Sequence, residues 1–278
     1  MRALLELGAD PDAGGRRSTP LGAVTLHHPR QLRNRIAELL LQNGADCLLP
    51  APQDSIRSST SLLADFASQP GMRSSAALLL AHLERQRSAG QLQLGSAARA
   101  AQLLLACIKC GGHQQLFNHS LRRLEEHLSA RATGLQPAAA VTSEVLHEIL
   151  VAAIGDIHDI SSCTPANVEA LLSCRLPLDL NNTICVGMIL WSPLRSAALR
   201  AGEDAAAKVR LLHQAGASLT AEDLLHLIDG RLATGLAALL SAGSPAVDTR
   251  RPSLRLDKVT SYSCPIHRAL HSLVRCQQ

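Results

Sequence analysis

The sequence predicts an all-α protein: a solenoid of helix–turn–helix units with short β-turn connections. Three observations carry that expectation. A phrase returns along the chain as Thr19-Pro20-Leu21-Gly22-Ala23-Val24, Ser192-Pro193-Leu194-Arg195-Ser196-Ala197 and Cys264-Pro265-Ile266-His267-Arg268-Ala269. A second phrase travels with it. Leu39-Leu40-Leu41-Gln42-Asn43-Gly44-Ala45-Asp46 echoes Leu4-Leu5-Glu6-Leu7-Gly8-Ala9-Asp10, and is echoed by Leu211-Leu212-His213-Gln214-Ala215-Gly216-Ala217-Ser218 and Leu239-Leu240-Ser241-Ala242-Gly243-Ser244. The third observation is composition: 278 residues are 46% hydrophobic yet hold one Trp, one Tyr and two Phe. Thin layers of Leu and Ala suit helices packed against their sequence neighbours, not one large aromatic core. Recurrence at a fixed period is the mark of a stacked array, which presents a surface more often than it houses chemistry.

The elements follow in order. Gly8 to Gly15 reads as a tight reversal, since Gly14-Gly15 tolerates positive φ. Thr19 reads as an N-cap with Pro20 at the first helical position, where its missing N–H costs nothing. A short helix Pro20–Leu26 is expected, ended by His27-His28-Pro29 because a residue before Pro is pushed out of α. A second helix is expected over Leu32–Gln42, with Leu32, Ile36, Leu39 and Leu40 as its apolar stripe and Asn43-Gly44 as its stop. That is one unit, with 36 residues between Gly8 and Gly44.

Further helix pairs are expected at Ser61–Ala67 with Ser74–Arg85, Ser96–Cys107 with Gln115–Ala130, and Ser143–Ile154 with Thr164–Ser173. Ser192 and Cys264 lie 72 residues apart, two such periods, and a middle unit without its Pro runs from Ala221-Glu222-Asp223 to Ser241. The tally is about seven units at a typical period. Three stretches of one continuous solenoid result: 1–90, a degenerate or irregular 91–160, and 161–278. Gly90–Gly95 and Thr133–Ala140 read as loops.

These units resemble ankyrin repeats, which open on Thr-Pro-Leu-His-x-Ala and close on Leu-Leu-x-x-Gly-Ala. Cys264-Pro265-Ile266-His267-Arg268-Ala269 keeps the His and the Ala, whereas Gly22 and Arg195 stand at the His position of the other two. The resemblance is closest over 1–50 and 165–278. It implies that turn tips and first helices form a concave face for a partner protein. Carried onto this chain, the tips are Ala13–Arg17 and Asp248–Arg251, with Arg16, Arg17, Asp248, Arg250 and Arg251 as contacts. Arg suits such a face because its planar fork makes bidentate bonds and stacks on aromatic rings. In the family the His ties neighbouring loops together. The resemblance implies no enzymatic activity, no cofactor and no small-molecule substrate. Neither end of the chain reads as a polar cap, so a fragment of a longer array, or an array with frayed ends, is expected.

Other chemistry finds little support in the sequence. The net charge is +4, and Lys109, Lys208 and Lys258 are the only lysines. Without a basic run or interleaved aromatics, no nucleic-acid groove is expected. Neither Gly-x-x-x-x-Gly-Lys nor Gly-x-Gly-x-x-Gly occurs, nor a Gly-x-Ser-x-Gly elbow. Cys107, Cys110, His113 and His119 could supply a tetrahedral N/S zinc site, the basis of an alternative metal-binding or enzymatic function for the middle segment. The same Cys-x-x-Cys spacing puts both thiols on one face of an apolar helix, so core thiols are the reading adopted and no metal is expected. His147-Glu148 fails the zinc-protease pattern because Val151 stands where the second His belongs. Asp156-Ile157-His158-Asp159 gathers acid–base groups, but at a place where a polar loop is expected. Eight scattered Cys, an N-terminal apolar stretch broken at Glu6, and an apolar run near Ile184–Trp191 too short to span a bilayer point to a soluble, cytoplasmic protein without signal peptide or membrane helix.

Overall fold

The computed structural model describes residues 2–14, 19–24, 29–48, 63, 66–67, 69–132, 141–155, 163–182, 184–186, 189–199, 203–219 and 223. The third Pro-Ile phrase, the cluster 156–159, and the unit 221–241 apart from Asp223 lie outside them. The described chain is mostly helical. In order, the helices are α1 (Arg2–Glu6), α2 (Arg30–Gln42), α3 (Arg73–Ser88), α4 (Ala97–Cys110), α5 (Gln114–Ala132), α6 (Ser143–Ile154), α7 (Pro165–Ser173), α8 (Pro193–Ala198) and α9 (Glu203–Gln214). A single 3-10 turn, Pro70–Met72, leads into α3. The apolar run near Ile184–Trp191 forms two short antiparallel strands, β1 (Ile184–Val186) and β2 (Ile189–Trp191), with Ile184 opposite Trp191. Its β-branched and aromatic residues favour that pairing. Among the described residues, no helix is long and apolar enough to cross a membrane.

The chain divides into two compact units. The first is Met1–Ala153 with Ser161–Cys163 and Cys174–Pro177; the second is Ile154–Ile160, Thr164–Ser173 and Leu178–Gln278.

In the first unit, α4 and α5 form the tightest pair. Three residues join them, and Gly111 (φ 68°) and Gly112 (φ 74°) supply the left-handed backbone that so short a connection needs. Ser96 caps α4 by accepting the Arg99 N–H. Ala97, Ala100 and Ala101 are buried with Leu103, Leu104, Leu105, Ala106, Cys107 and Ile108, so α4 is enclosed nearly all round, as a central helix must be. From α5, Leu116, Phe117, Ser120, Leu121 and Leu124 are buried. Ser120 satisfies its hydroxyl on the carbonyls of Leu116 and Phe117 one turn back. Helix α3 packs on α2, α4 and α5. Helices α4 and α5, at 14 and 19 residues, are longer than the matching pair Ser96–Cys107 and Gln115–Ala130 expected from sequence.

In the second unit, α9 packs on both α7 and α8. All six residues of α8 are buried, from Pro193 to Ala198, and Ser192 caps it by accepting the Arg195 N–H at 3.2 Å. Val168 and Leu171 of α7 and Ala205, Val209 and Leu212 of α9 fill the contact.

Two local expectations are corrected. The helix expected over Pro20–Leu26 is, within its described part, a single turn at Pro20–Ala23, capped by the Gly22 N–H on Thr19 Oγ1 at 3.2 Å. Gly22 is poorly suited to helix, at about 1 kcal/mol relative to Ala. The buried face of α2 is Arg33, Ala37, Leu40 and Leu41, one residue round from the expected stripe, and Leu32 is 45% exposed. Ala37 lets a neighbour approach closely, and Arg33 buries its long apolar stem.

Candidate functional site

The turns that follow the second helices are built alike. At the end of α1, the Gly8 N–H bonds the Leu5 carbonyl and the Ala9 N–H bonds the Leu4 carbonyl, both at 3.0 Å. At the end of α2, Gly44 bonds Leu41 (3.1 Å) and Ala45 bonds Leu40 (3.0 Å). At the end of α9, Gly216 bonds His213 (3.0 Å) and Ala217 bonds Leu212 (2.9 Å). This is the Schellman closure, which needs a left-handed residue at its Gly. Gly8, Gly44 and Gly216 hold φ of 86°, 91° and 95°.

Asp side chains then fold three stretches onto themselves, two in the turns after α1 and α2 and one after α7. Asp10 accepts the Asp12 N–H (2.9 Å), Asp46 the Leu48 N–H (2.9 Å) and Asp179 the Asn181 N–H (3.0 Å). Such Asx turns place the residue two positions on, and in two cases that residue reaches the next unit. In the first unit, both carboxylate oxygens of Asp12 accept the Asp46 N–H at 3.0 Å, across 34 residues. In the second, Asn181 Oδ1 accepts from the Ser218 N–H (2.8 Å) and hydroxyl (3.0 Å), across 37 residues. Asp46 and Ser218 occupy the same place after Gly-Ala. Arg99, in the first turn of α4, adds an ion pair to Asp46.

Comparison of the chain with protein-family models, with curated proteins and with solved structures gives no match.

A third tie lies within the second unit. Arg195 follows Ser192-Pro193-Leu194, and its Nη1 donates to Asp223 Oδ1 at 3.3 Å. Ser192 Oγ donates to Asp223 Oδ2 at 2.9 Å. Arg195 and Asp223 are each 3% exposed, so the pair is an interior one. These ties had a partial sequence signal: Asp10-Pro11-Asp12 follows Gly8-Ala9, and Asp46 and Ser218 each follow a Gly-Ala pair. Asp223 had none, because no short motif links it to Arg195.

The structure does not gather the proposed metal ligands. Among the described residues, no three His, Cys, Asp or Glu side chains form a group able to hold a metal ion. Burial pushes the Cys107 thiol far up and the Cys110 thiol to about 11, as apolar surroundings do to a thiol. Burial also lowers His113 and His119; in His119 the cations Arg122, Arg123 and Arg87 lower it further. Cys107 lies in the α4 core, as the adopted reading expected of a core thiol. Arg16, Arg17, Asp248, Arg250 and Arg251 lie outside the described residues.

The Asp12 tie yields a pH prediction. Burial raises the Asp12 carboxyl above its ordinary 3.8; Asp46 and Asp10 add like charge, while the Asp46 N–H and Arg99 oppose the rise. The folded state therefore holds this proton more tightly than the unfolded state. Its contribution to stability is full below pH 3.8 and falls as pH rises through the folded value. Asp12→Asn keeps the oxygen acceptor, as Asn181 does in the second unit, and removes the charge. The variant is expected to melt above wild type at pH 7, with the gap closing below pH 4 (about the ordinary carboxylate value). Melting curves at pH 3 and 7 check it; a gap independent of pH would refute the assignment.

Proposed function

We propose that the chain is an ankyrin-type array of helix pairs that binds a partner protein through its turn tips and concave face, without chemistry of its own. The observation that supports this most is the repeated turn-to-turn bond: Asp12 to Asp46 and Asn181 to Ser218, at equivalent places of two separate units. Ties between neighbouring units make a repeat array stable, because one helix pair cannot bury its apolar stripe alone. Arrays of this kind present a continuous row of turns, and specificity resides in the side chains carried there.

On this reading Arg16 and Arg17 at one tip, and Asp248, Arg250 and Arg251 at another, contact the partner. The partner then carries carboxylates or aromatic rings, which the Arg fork recognises. Affinity capture from the native cell tests it, comparing wild type with a variant carrying Glu at 16, 17, 250 and 251. Loss of a stoichiometric partner, with helical content and melting temperature unchanged, is expected. Equal recovery by both proteins would sink the turn-tip assignment.

A further inference from the structure

Set in register on Gly8, Gly44 and Gly216, the three closing turns align Leu4 with Leu40 and Leu212, Ala9 with Ala45 and Ala217, and Asp10 with Asp46 and Ser218. Their backbone bonds repeat, but their burial does not. Leu40 and Leu212 are 1% and 0% exposed, whereas Leu4 is 61% exposed. Ala45 and Ala217 are buried, and Ala9 is exposed. No residue of α1 is buried. The polar tie is unfilled as well. The Asp46 N–H reaches Asp12 and the Ser218 N–H reaches Asn181, while the Asp10 N–H meets no acceptor among the described residues. Helix α1 and its turn are therefore built as the closing half of a unit, with an apolar contact and a backbone donor both left open.

The second unit shows what packs on such a half. There α9, which carries Leu212, packs on α8, the helix opened by Ser192-Pro193-Leu194. Leu194 and Ala197 of α8 are both fully buried. The phrase Cys264-Pro265-Ile266-His267-Arg268-Ala269 has the same spacing in sequence, with Ile266 and Ala269 at the places of Leu194 and Ala197. It lies outside the described residues. The nine residues after it, Leu270–Gln278, contain no Gly and so no Gly-Ala close. The sequence thus holds a closing half with its contacts open and an opening half without a close.

We propose that α1 is the docking face for a second copy of this chain, whose Cys264 phrase lies against Leu4 and completes the unit. Two different surfaces meet in this contact, so copies add head to tail in a row instead of pairing about a two-fold axis. The proposal rests on the helix-pair array proposed above and not on its turn-tip contacts, so self-association and partner capture can fail separately.

Sedimentation velocity of the 278-residue chain over a wide concentration range tests it. The average mass is expected to rise with concentration and to pass the dimer. Leu4→Glu should weaken association on the order of a hundredfold, because docking would bury an unpaired carboxylate, and should melt with wild type because Leu4 is exposed. Ile266→Glu should do the same from the other surface. Each variant alone is then a monomer, but a mixture of the two retains one good surface of each kind and should form a dimer and nothing larger. A monomer at every concentration would give the α1 face to another occupant and overturn the proposal. A wild-type chain that stops at the dimer and ignores Ile266→Glu would overturn it in favour of a two-fold contact. If Ile266→Glu does not fold, unchanged association in Leu4→Glu overturns it alone.

Discussion

Replacing Asp223 by Ala is expected to destabilise the chain by about 3–5 kcal/mol, the cost of removing one partner of a buried ion pair. The physical cause is what stays behind. Arg195 keeps its charge at 3% exposure, and the Ser192 hydroxyl loses the acceptor it now reaches at 2.9 Å. Asp223→Asn should cost less, because the amide oxygen can still accept from one of the two donors. Replacing the pair together, Arg195→Met with Asp223→Leu, should recover most of the loss, since an apolar pair carries no desolvation penalty. Urea unfolding followed by circular dichroism measures all three. A loss below about 1 kcal/mol in Asp223→Ala would place the pair in a far more hydrated setting than its burial indicates.

The second large effect is expected in the α4–α5 pair. Phe117 is 1% exposed, and Phe117→Ala should cost about 3–5 kcal/mol through lost burial and the cavity left behind. Leu7, 84% exposed beyond α1, is the internal control; Leu7→Ala should fall within about 0.5 kcal/mol of wild type. Comparable losses in the two variants would show that Phe117 does not sit in a packed core.

The helices were legible where a local signal marks both ends. Ser143–Ile154 was placed to the residue, helped by Thr142, whose hydroxyl accepts the Val145 N–H. Helix α2 was placed within two residues by Pro29 and Gly44, yet its buried face was not, because Leu32 is more apolar than Arg33 and only packing decides between them. Helices α4 and α5 were recognised as helices, but their lengths were set short. Nothing local stops a helix at Cys107, and the left-handed glycines that do stop it begin four residues later. The closing turns were legible as Gly-Ala phrases. The bonds that lead from them were not, since a tie across 34 residues leaves no mark in either segment alone. The same holds for Arg195: its departure from the His of the resembling family was visible, but the acid that answers it lies 28 residues on.

The spacing of the turn-to-turn bonds has a consequence for how the chain finds its structure. Each bond asks the chain to close a loop of 34 or 37 residues, and the glycine turns beside Asp12, Asp46 and Ser218 form from contacts five residues apart or fewer. The entropy of closing a loop grows only with the logarithm of its length, so these closures are similar in cost wherever they occur. Search distance for these two contacts is thereby 34 or 37 residues, a small part of the 278-residue polypeptide. Contacts this close in sequence favour rapid folding that can start at either tie.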